Sequence, residues 1–254
     1  MSEYLGIIPA RYASSRVPGK PLADLRGKPM IQWVYERSSP FFDHLLVATD
    51  DARIYDAVLA FGGKVVMTSP DHGSGTERCA EAADLYEKET GLRFSRVVNI
   101  QGDEPLIQPQ QLQALLDCIR LPQTSVATLI RPLGSPEELD NPNVVKVVVD
   151  LEFRALYFSR APIPASRDGK RDLSSSGPTL YTHIGLYAFG REILEQVVKL
   201  PPTSLEQSES LEQLRWMEHG IRIRTAVTHL PSQGVDTPDD LERLKNTIRK
   251  GSGP

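Results

Sequence analysis

The first half of the chain alternates short apolar segments with amphipathic ones, and this alternation constrains the fold more than any other feature. Tyr4–Pro9 is a brief apolar run, and Pro29–Arg37 has helical spacing and opens on proline. Leu45–Thr49 (LLVAT) is again apolar, followed by a helical pattern over 51–61 with Asp50 as its candidate N-cap and Gly62-Gly63 as its stop. Lys64–Thr68 (KVVMT) and Arg96–Gln101 (RVVNIQ) read as further strands. Between them, Ser74 and Glu77 have capping-box spacing before a helix reaching about Lys88. Gln108–Ile119 is a further helix. Strands without internal polar alternation must be buried on both faces. The pattern therefore predicts an α/β fold with a mostly parallel central sheet flanked by helices. In such sheets ligands bind beyond the carboxyl ends of the strands.

The middle of the chain changes character. Ser125–Ile130, Val144–Asp150, Ala155–Ser159 and Thr182–Phe189 are strand-like but separated by loops, and 162–178 is rich in Pro, Ser, Gly and charge. Helices resume at Arg191–Lys199 and Ser210–His219, a strand follows at Ile221–Val227, and Pro238–Lys250 closes the pattern. With 254 residues, the expectation is one domain over 1–250 carrying a β-rich excursion at about 131–190, and residues 251–254 as a tail.

Charge and cysteine usage remove several functions. Twenty-nine basic against 33 acidic residues leave a net charge of −4, which argues against a general nucleic-acid binder. No apolar run approaches the roughly 20 residues of a membrane span, so no membrane insertion is expected. The start, Met1-Ser2-Glu3-Tyr4, lacks a signal-peptide pattern. Cys79 and Cys118 stand far apart, which fits reduced thiols in a cytoplasmic protein better than a disulfide framework or a thiolate zinc site.

Three stretches carry chemistry. After the first strand, Pro9-Ala10-Arg11-Tyr12-Ala13-Ser14-Ser15-Arg16-Val17-Pro18-Gly19-Lys20 sets three cations and two hydroxyls in one loop. It reads equally as a phosphate cradle or a solvated basic loop, and it is not a Walker A sequence. After the fourth strand, Gln101-Gly102-Asp103 places an acid beside a turn glycine, a pattern that suits Mg²⁺ as well as ordinary turn chemistry. Near the end, Gly234-Val235-Asp236-Thr237-Pro238 offers Asp236 either as a helix cap, which spacing alone favours, or as a second metal ligand. Arg160 follows a strand, and His183, Gly185 and Tyr187 share one face if 182–189 is a strand. The five histidines form no metal-binding pattern, and Gly73-x-Gly75 runs into Arg78 and so fails the dinucleotide fingerprint.

Together these stretches resemble the 3-deoxy-manno-octulosonate (Kdo) cytidylyltransferase family, also called CMP-Kdo synthetases. The resemblance covers IIPARYASSRVPGKPL (7–22), VATDD (47–51), SPDHGSGTER (69–78) and VNIQGDEPLI (98–107). It continues through YFSRAPIP (157–164), THIGLYAF (182–189), LEQLRWMEHG (211–220) and GVDTPDDL (234–241).

The resemblance implies the reaction CTP + Kdo → CMP-Kdo + pyrophosphate, supplying lipopolysaccharide synthesis. The sugar 2-hydroxyl attacks the α-phosphorus with Mg²⁺ assistance, and the enzyme is a homodimer. It also implies roles. Arg11 and Lys20 hold the triphosphate with help from Arg16, while Ala10, Thr76 and Arg78 line the CTP pocket. Gln101 lies near the sugar, and Arg160 pairs with the Kdo carboxylate. His183, Tyr187, Glu212 and Gln213 contact the sugar hydroxyls, and Asp103 and Asp236 bind Mg²⁺. Two alternatives share much of this pattern: activation of another acid sugar (8-amino-Kdo or sialic acid), and a non-catalytic nucleotide-binding regulator on the same fold.

Overall fold

The structure, a computed structural model, describes residues 2–13, 17–167, 179–232, 234–235 and 237–249. The chain divides into two compact units, Met1–Leu112 with Ser232–Pro254 and Gln113–Pro231.

The first unit is built on four parallel strands in the order β6–β1–β4–β5: β1 (Ser2–Ala10), β4 (Leu45–Thr49), β5 (Val65–Met67) and β6 (Phe94–Asn99). A small hairpin, β2 (Asp24–Leu25) with β3 (Lys28–Pro29), precedes α1 (Met30–Ser38). Helices α2 (Ala52–Ala60), α3 (Gly75–Thr90) and the closing α9 (Pro238–Arg249) complete this unit. The central strands are buried throughout: Leu5, Ile7, Ile8, Val47 and Ala48 are fully covered, and each large apolar side chain so buried contributes about 1.5–3 kcal/mol.

Local signals fix the helix ends. Ser74 Oγ accepts the Glu77 N–H at 3.2 Å, and Gly91 ends α3 with φ 70°. The cap of α2 is Asp51, one residue beyond the expected Asp50: its carboxylate accepts the Arg53 N–H at 2.9 Å. Asp50 is thereby released for another task. In α9, Leu244 and Ile248 pack with Val235, Leu25 and Met30, which ties the end of the chain to the segment after β1.

The second unit orders its strands β11–β7–β10–β8–β9: β7 (Val126–Pro132), β8 (Lys146–Val149), β9 (Ala155–Ser159), β10 (Tyr181–Gly190) and β11 (Ile223–Val227). Only β7–β11 is parallel; the other pairs are antiparallel. The expected excursion at 131–190 falls inside this larger unit. α4 (Pro109–Arg120) joins the units along the chain, followed by α5 (Pro136–Asp140), α6 (Arg191–Val197), α7 (Ser204–Glu209) and α8 (Glu212–Glu218). The helix expected at 210–219 is α8, and the short α7 before it ends at Ser210, which turns with φ 51°. Trp216 is buried and meets the Tyr187 and Phe189 rings edge-on at 5.2 and 5.3 Å.

Candidate active site

In the first unit β1, β4 and β6 are parallel, so their carboxyl ends share one edge. A cleft of about 270 Å³ opens there, lined among others by Ala10, Arg11, Lys20, Arg78, Gln101 and Asp103. The basic loop that leaves β1 is closed by the Gly19 N–H donating to Tyr12 O at 3.0 Å. Gly19 needs both its φ of 68° and its lack of a side chain, since a Cβ would sit 3.0 Å from the Tyr12 ring.

The closed loop delivers Lys20 to Asp103. The ammonium donates to Asp103 Oδ2 at 2.6 Å and to Val235 O at 2.7 Å, while the Val235 N–H donates to Asp103 O at 3.0 Å. Three segments remote in sequence therefore meet at one ion pair. Gly102 permits the approach: a Cβ there would lie 2.8 Å from Pro9 O. Arg11 stands exposed at the same cleft.

The opposite wall is the 69–75 turn entering α3. His72, Gly73, Ser74 and Gly75 line the cleft at the positive end of the helix dipole, where anionic groups are favoured. Two carboxylates from α3 hold this turn. Glu77 Oε2 accepts the Gly73 N–H at 2.7 Å, and Glu81 Oε2 accepts the Ser69 N–H at 2.8 Å and meets His72 Nε2 at 2.5 Å. Arg78 lines the cleft but is only 3% exposed. Its guanidinium donates to Asp50 Oδ2 (2.7 Å), Thr68 Oγ1 (2.6 Å) and Ser69 O (3.2 Å), so it braces the end of β5 against α3. Thr76 is buried in α3 and is not among the cleft-lining residues.

The remaining candidates lie in the second unit. The Arg160 guanidinium donates to three backbone carbonyls: Glu209 O at 2.7 Å, Pro142 O at 3.0 Å and Ser210 O at 3.3 Å. His183 and Tyr187 do share a face, with ring centroids 5.3 Å apart, even though β10 bulges between them at 184–187. Burial pushes the His183 pKa down to about 3, so the ring is neutral at physiological pH. The Thr128 hydroxyl has one proton, which the 2.7 Å bond to Leu186 O uses. The 2.9 Å contact with His183 Nε2 then requires that nitrogen to donate. Burial, and after it the nearby Glu212 carboxylate, raise the Tyr187 pKa well above the usual phenol range. Glu212 and Gln213 form the first turn of α8, and Gln213 is buried.

The structure thus brings Ala10, Arg11, Lys20, Arg78, Gln101 and Asp103 to one cleft. Arg16 and Asp236 lie outside the described residues, so neither of their assignments is addressed by this geometry. Among the described residues no group of three or more His, Cys, Asp or Glu side chains is placed to hold a metal. Asp103 nevertheless suits Mg²⁺, which takes one or two carboxylates and completes its shell with water and substrate phosphates. Its side chain is 31% exposed at the open cleft. In the sequence Asp50 and Glu77 carry only capping signals and Glu81 carries none, so the bracing roles of these three acids are legible only in the fold.

A family profile described as Cytidylyltransferase matches residues 5–223. A 3-deoxy-manno-octulosonate cytidylyltransferase of Bacteroides thetaiotaomicron is 50% identical over 253 residues, covering 98% of this chain and 100% of the relative. The chain belongs to the 3-deoxy-manno-octulosonate cytidylyltransferase family. The namesake of Parabacteroides distasonis is 49% identical over 247 residues, covering 96% of this chain and 97% of its own. Among solved structures, a CMP:2-keto-3-deoxy-manno-octonic acid synthetase complexed with CTP superposes with a TM-score of 0.88 at 44% identity. That likeness covers 98% of this chain and 99% of the other. Membership in this family makes the chain a nucleotidyltransferase, and the α/β sheet with its carboxyl-edge cleft is the family's fold.

Proposed function

We infer that this chain transfers the cytidylyl group of CTP to the 2-hydroxyl of Kdo, releasing pyrophosphate and giving CMP-Kdo for lipopolysaccharide synthesis. The observation that carries this reading is the Lys20–Asp103 pair at the cleft, a cation and a carboxylate set together where a triphosphate meets its metal. A nucleotide-binding regulator has no need of both.

Arg11 and Lys20, with Arg16, hold the triphosphate and stabilise the charge that moves onto pyrophosphate. The amide-lined turn at 73–75 receives the nucleotide beside Ala10, and Arg78 keeps that turn in place through Asp50, Thr68 and Ser69. Thr76 supports the turn from inside α3. Gln101 contacts the sugar. Arg160 takes the Kdo carboxylate, and Glu212, Gln213, Tyr187 and neutral His183 take its hydroxyls by hydrogen bonding rather than by charge. Asp103 and Asp236 would hold Mg²⁺, which supplies neutralisation of phosphate charge and acidification of the attacking hydroxyl. The rest is positioning by the chain's own side chains.

The active form is a homodimer in this reading. Leu151, Phe153 and Leu156 stand 102, 40 and 60% exposed around the β8–β9 hairpin, an apolar surface that suits a second copy of this chain. Its place of work is the cytoplasm, where CTP is available. Cys79 and Cys118 are buried and form no disulfide, and burial pushes the Cys118 thiol up to about 11, which disfavours its thiolate. No helix among the described residues is long and apolar enough to cross a membrane.

The test is pyrophosphate release from CTP with Kdo, 8-amino-Kdo and sialic acid, each with and without Mg²⁺. Fast release only with Kdo and Mg²⁺ supports the assignment. Preference for either other sugar redirects it, and no release with any of them favours a regulator.

A further inference from the structure

Lys146 lies in the apolar run Val144-Val145-Lys146-Val147-Val148-Val149 and is completely buried. A buried ammonium costs several kcal/mol unless every donor is satisfied. Here all three are: Asn141 O at 2.9 Å, Val144 O at 2.7 Å and Arg160 O at 2.5 Å. Burial draws the Lys146 pKa down, while the Asp140 and Glu209 carboxylates draw it back up.

Each of these carbonyls leads to Arg160. One is its own. The other two flank Pro142, whose carbonyl accepts Arg160 Nη1 at 3.0 Å. Glu209 closes the circuit from the far side: its carboxylate accepts Ser159 Oγ at 2.6 Å and the Arg160 N–H at 2.8 Å. Its carbonyl accepts Arg160 Nε, and that of the next residue, Ser210, accepts Nη2. The guanidinium has five N–H donors and spends three on carbonyls, leaving one on each terminal nitrogen. A planar carboxylate accepts that pair bidentately only if the fork is held in one orientation.

We propose that Lys146 is a positioning residue for sugar recognition: by clamping the 141–144 segment and the Arg160 carbonyl, it fixes the free edge of the Arg160 guanidinium toward the carboxylate of the acid sugar. This inference rests on Arg160 being the carboxylate partner.

The experiment compares the full-length chain with its Lys146→Met, Arg160→Ala and double variants, measuring KM separately for Kdo and CTP. Lys146→Met is expected to raise the Kdo KM about tenfold and to leave the CTP KM within about twofold. In the double variant the Kdo KM should be no higher than in Arg160→Ala alone, because Lys146 acts through Arg160. Should Lys146→Met fail to fold, Lys146→Gln keeps two donors without the charge and should show a smaller effect of the same kind. An unchanged Kdo KM in the folded Lys146 variant, a parallel rise in both KM values, or multiplying effects in the double variant would each overturn the positioning role while the Arg160 assignment stands. A normal Kdo KM in Arg160→Ala would overturn that assignment and this inference with it.

Discussion

Lys20 Nζ sits 2.6 Å from Asp103 Oδ2 although 83 residues separate them along the chain. The ammonium is at the same time 2.7 Å from Val235 O, so one side chain ties the β1 loop, the β6 turn and the segment before α9. Removing it should cost chemistry more than folding. Lys20→Met is expected to lower turnover about 10²–10³-fold, with a melting temperature within a few degrees of wild type. Steady-state kinetics and thermal melting on the same preparation check both halves.

Gly102 fails as alanine for a geometric reason. Its Cβ would meet Pro9 O at 2.8 Å, and that neighbour is backbone, which cannot turn aside. Gly102→Ala should destabilise the protein by about 1–3 kcal/mol and impair turnover by displacing Asp103. Urea unfolding measures the first effect.

Arg78 combines burial with three separate acceptors. Arg78→Ala leaves the Asp50 carboxylate unpaired and should cost about 2–4 kcal/mol. It should also raise the KM for CTP, because the 69–75 turn loses its brace. A variant with normal stability and weak CTP binding would instead mark Arg78 as a direct ligand contact.

His183 gives a pH dependence with a definite sign. Its pKa of about 3 in the fold compares with about 6.5 in the unfolded chain. Between those values the unfolded state holds a proton that the folded state does not, so stability rises with pH. The contribution is complete above about pH 6.5 and is lost progressively as pH falls toward 3, with a slope approaching about 1.4 kcal/mol per pH unit. His183→Asn should remove that part of the slope. Urea unfolding of both proteins from about pH 4 to 8 tests it, and equal slopes would contradict the burial of a neutral ring.

Leu156 is 60% exposed on β9, close in sequence to exposed Leu151 and Phe153. Leu156→Glu should shift the light-scattering mass from dimer to monomer. A wild-type monomer at micromolar concentration would contradict the homodimer.

Much of this fold is legible in the sequence where the local signal and the final environment agree. Leu45–Thr49 and Ala155–Ser159 form strands with the expected bounds, and Ser74 caps α3 as its spacing implies. The misses have physical causes. The β2–β3 hairpin turns on Arg26 and Gly27, both at positive φ, in a stretch with too little apolar pattern to read. α7 ends at Ser210 in a left-handed conformation that serine rarely announces. At the site, residue types were legible but their pairings were not. Nothing local says that Lys20 meets Asp103, or that Arg78 and Arg160 spend most of their donors inside the protein. Lys146 did carry a signal, a lone cation inside a valine run, but its three carbonyl partners exist only in the fold.

Asp103→Asn tests the central claim most directly, since it keeps the shape of the side chain and removes the charge. With CTP, Kdo and saturating Mg²⁺, pyrophosphate release should fall about 10³-fold while the unfolding transition stays cooperative and near the wild-type midpoint. Turnover close to wild type in the folded variant would show that the Lys20–Asp103 cleft is not where the chemistry occurs.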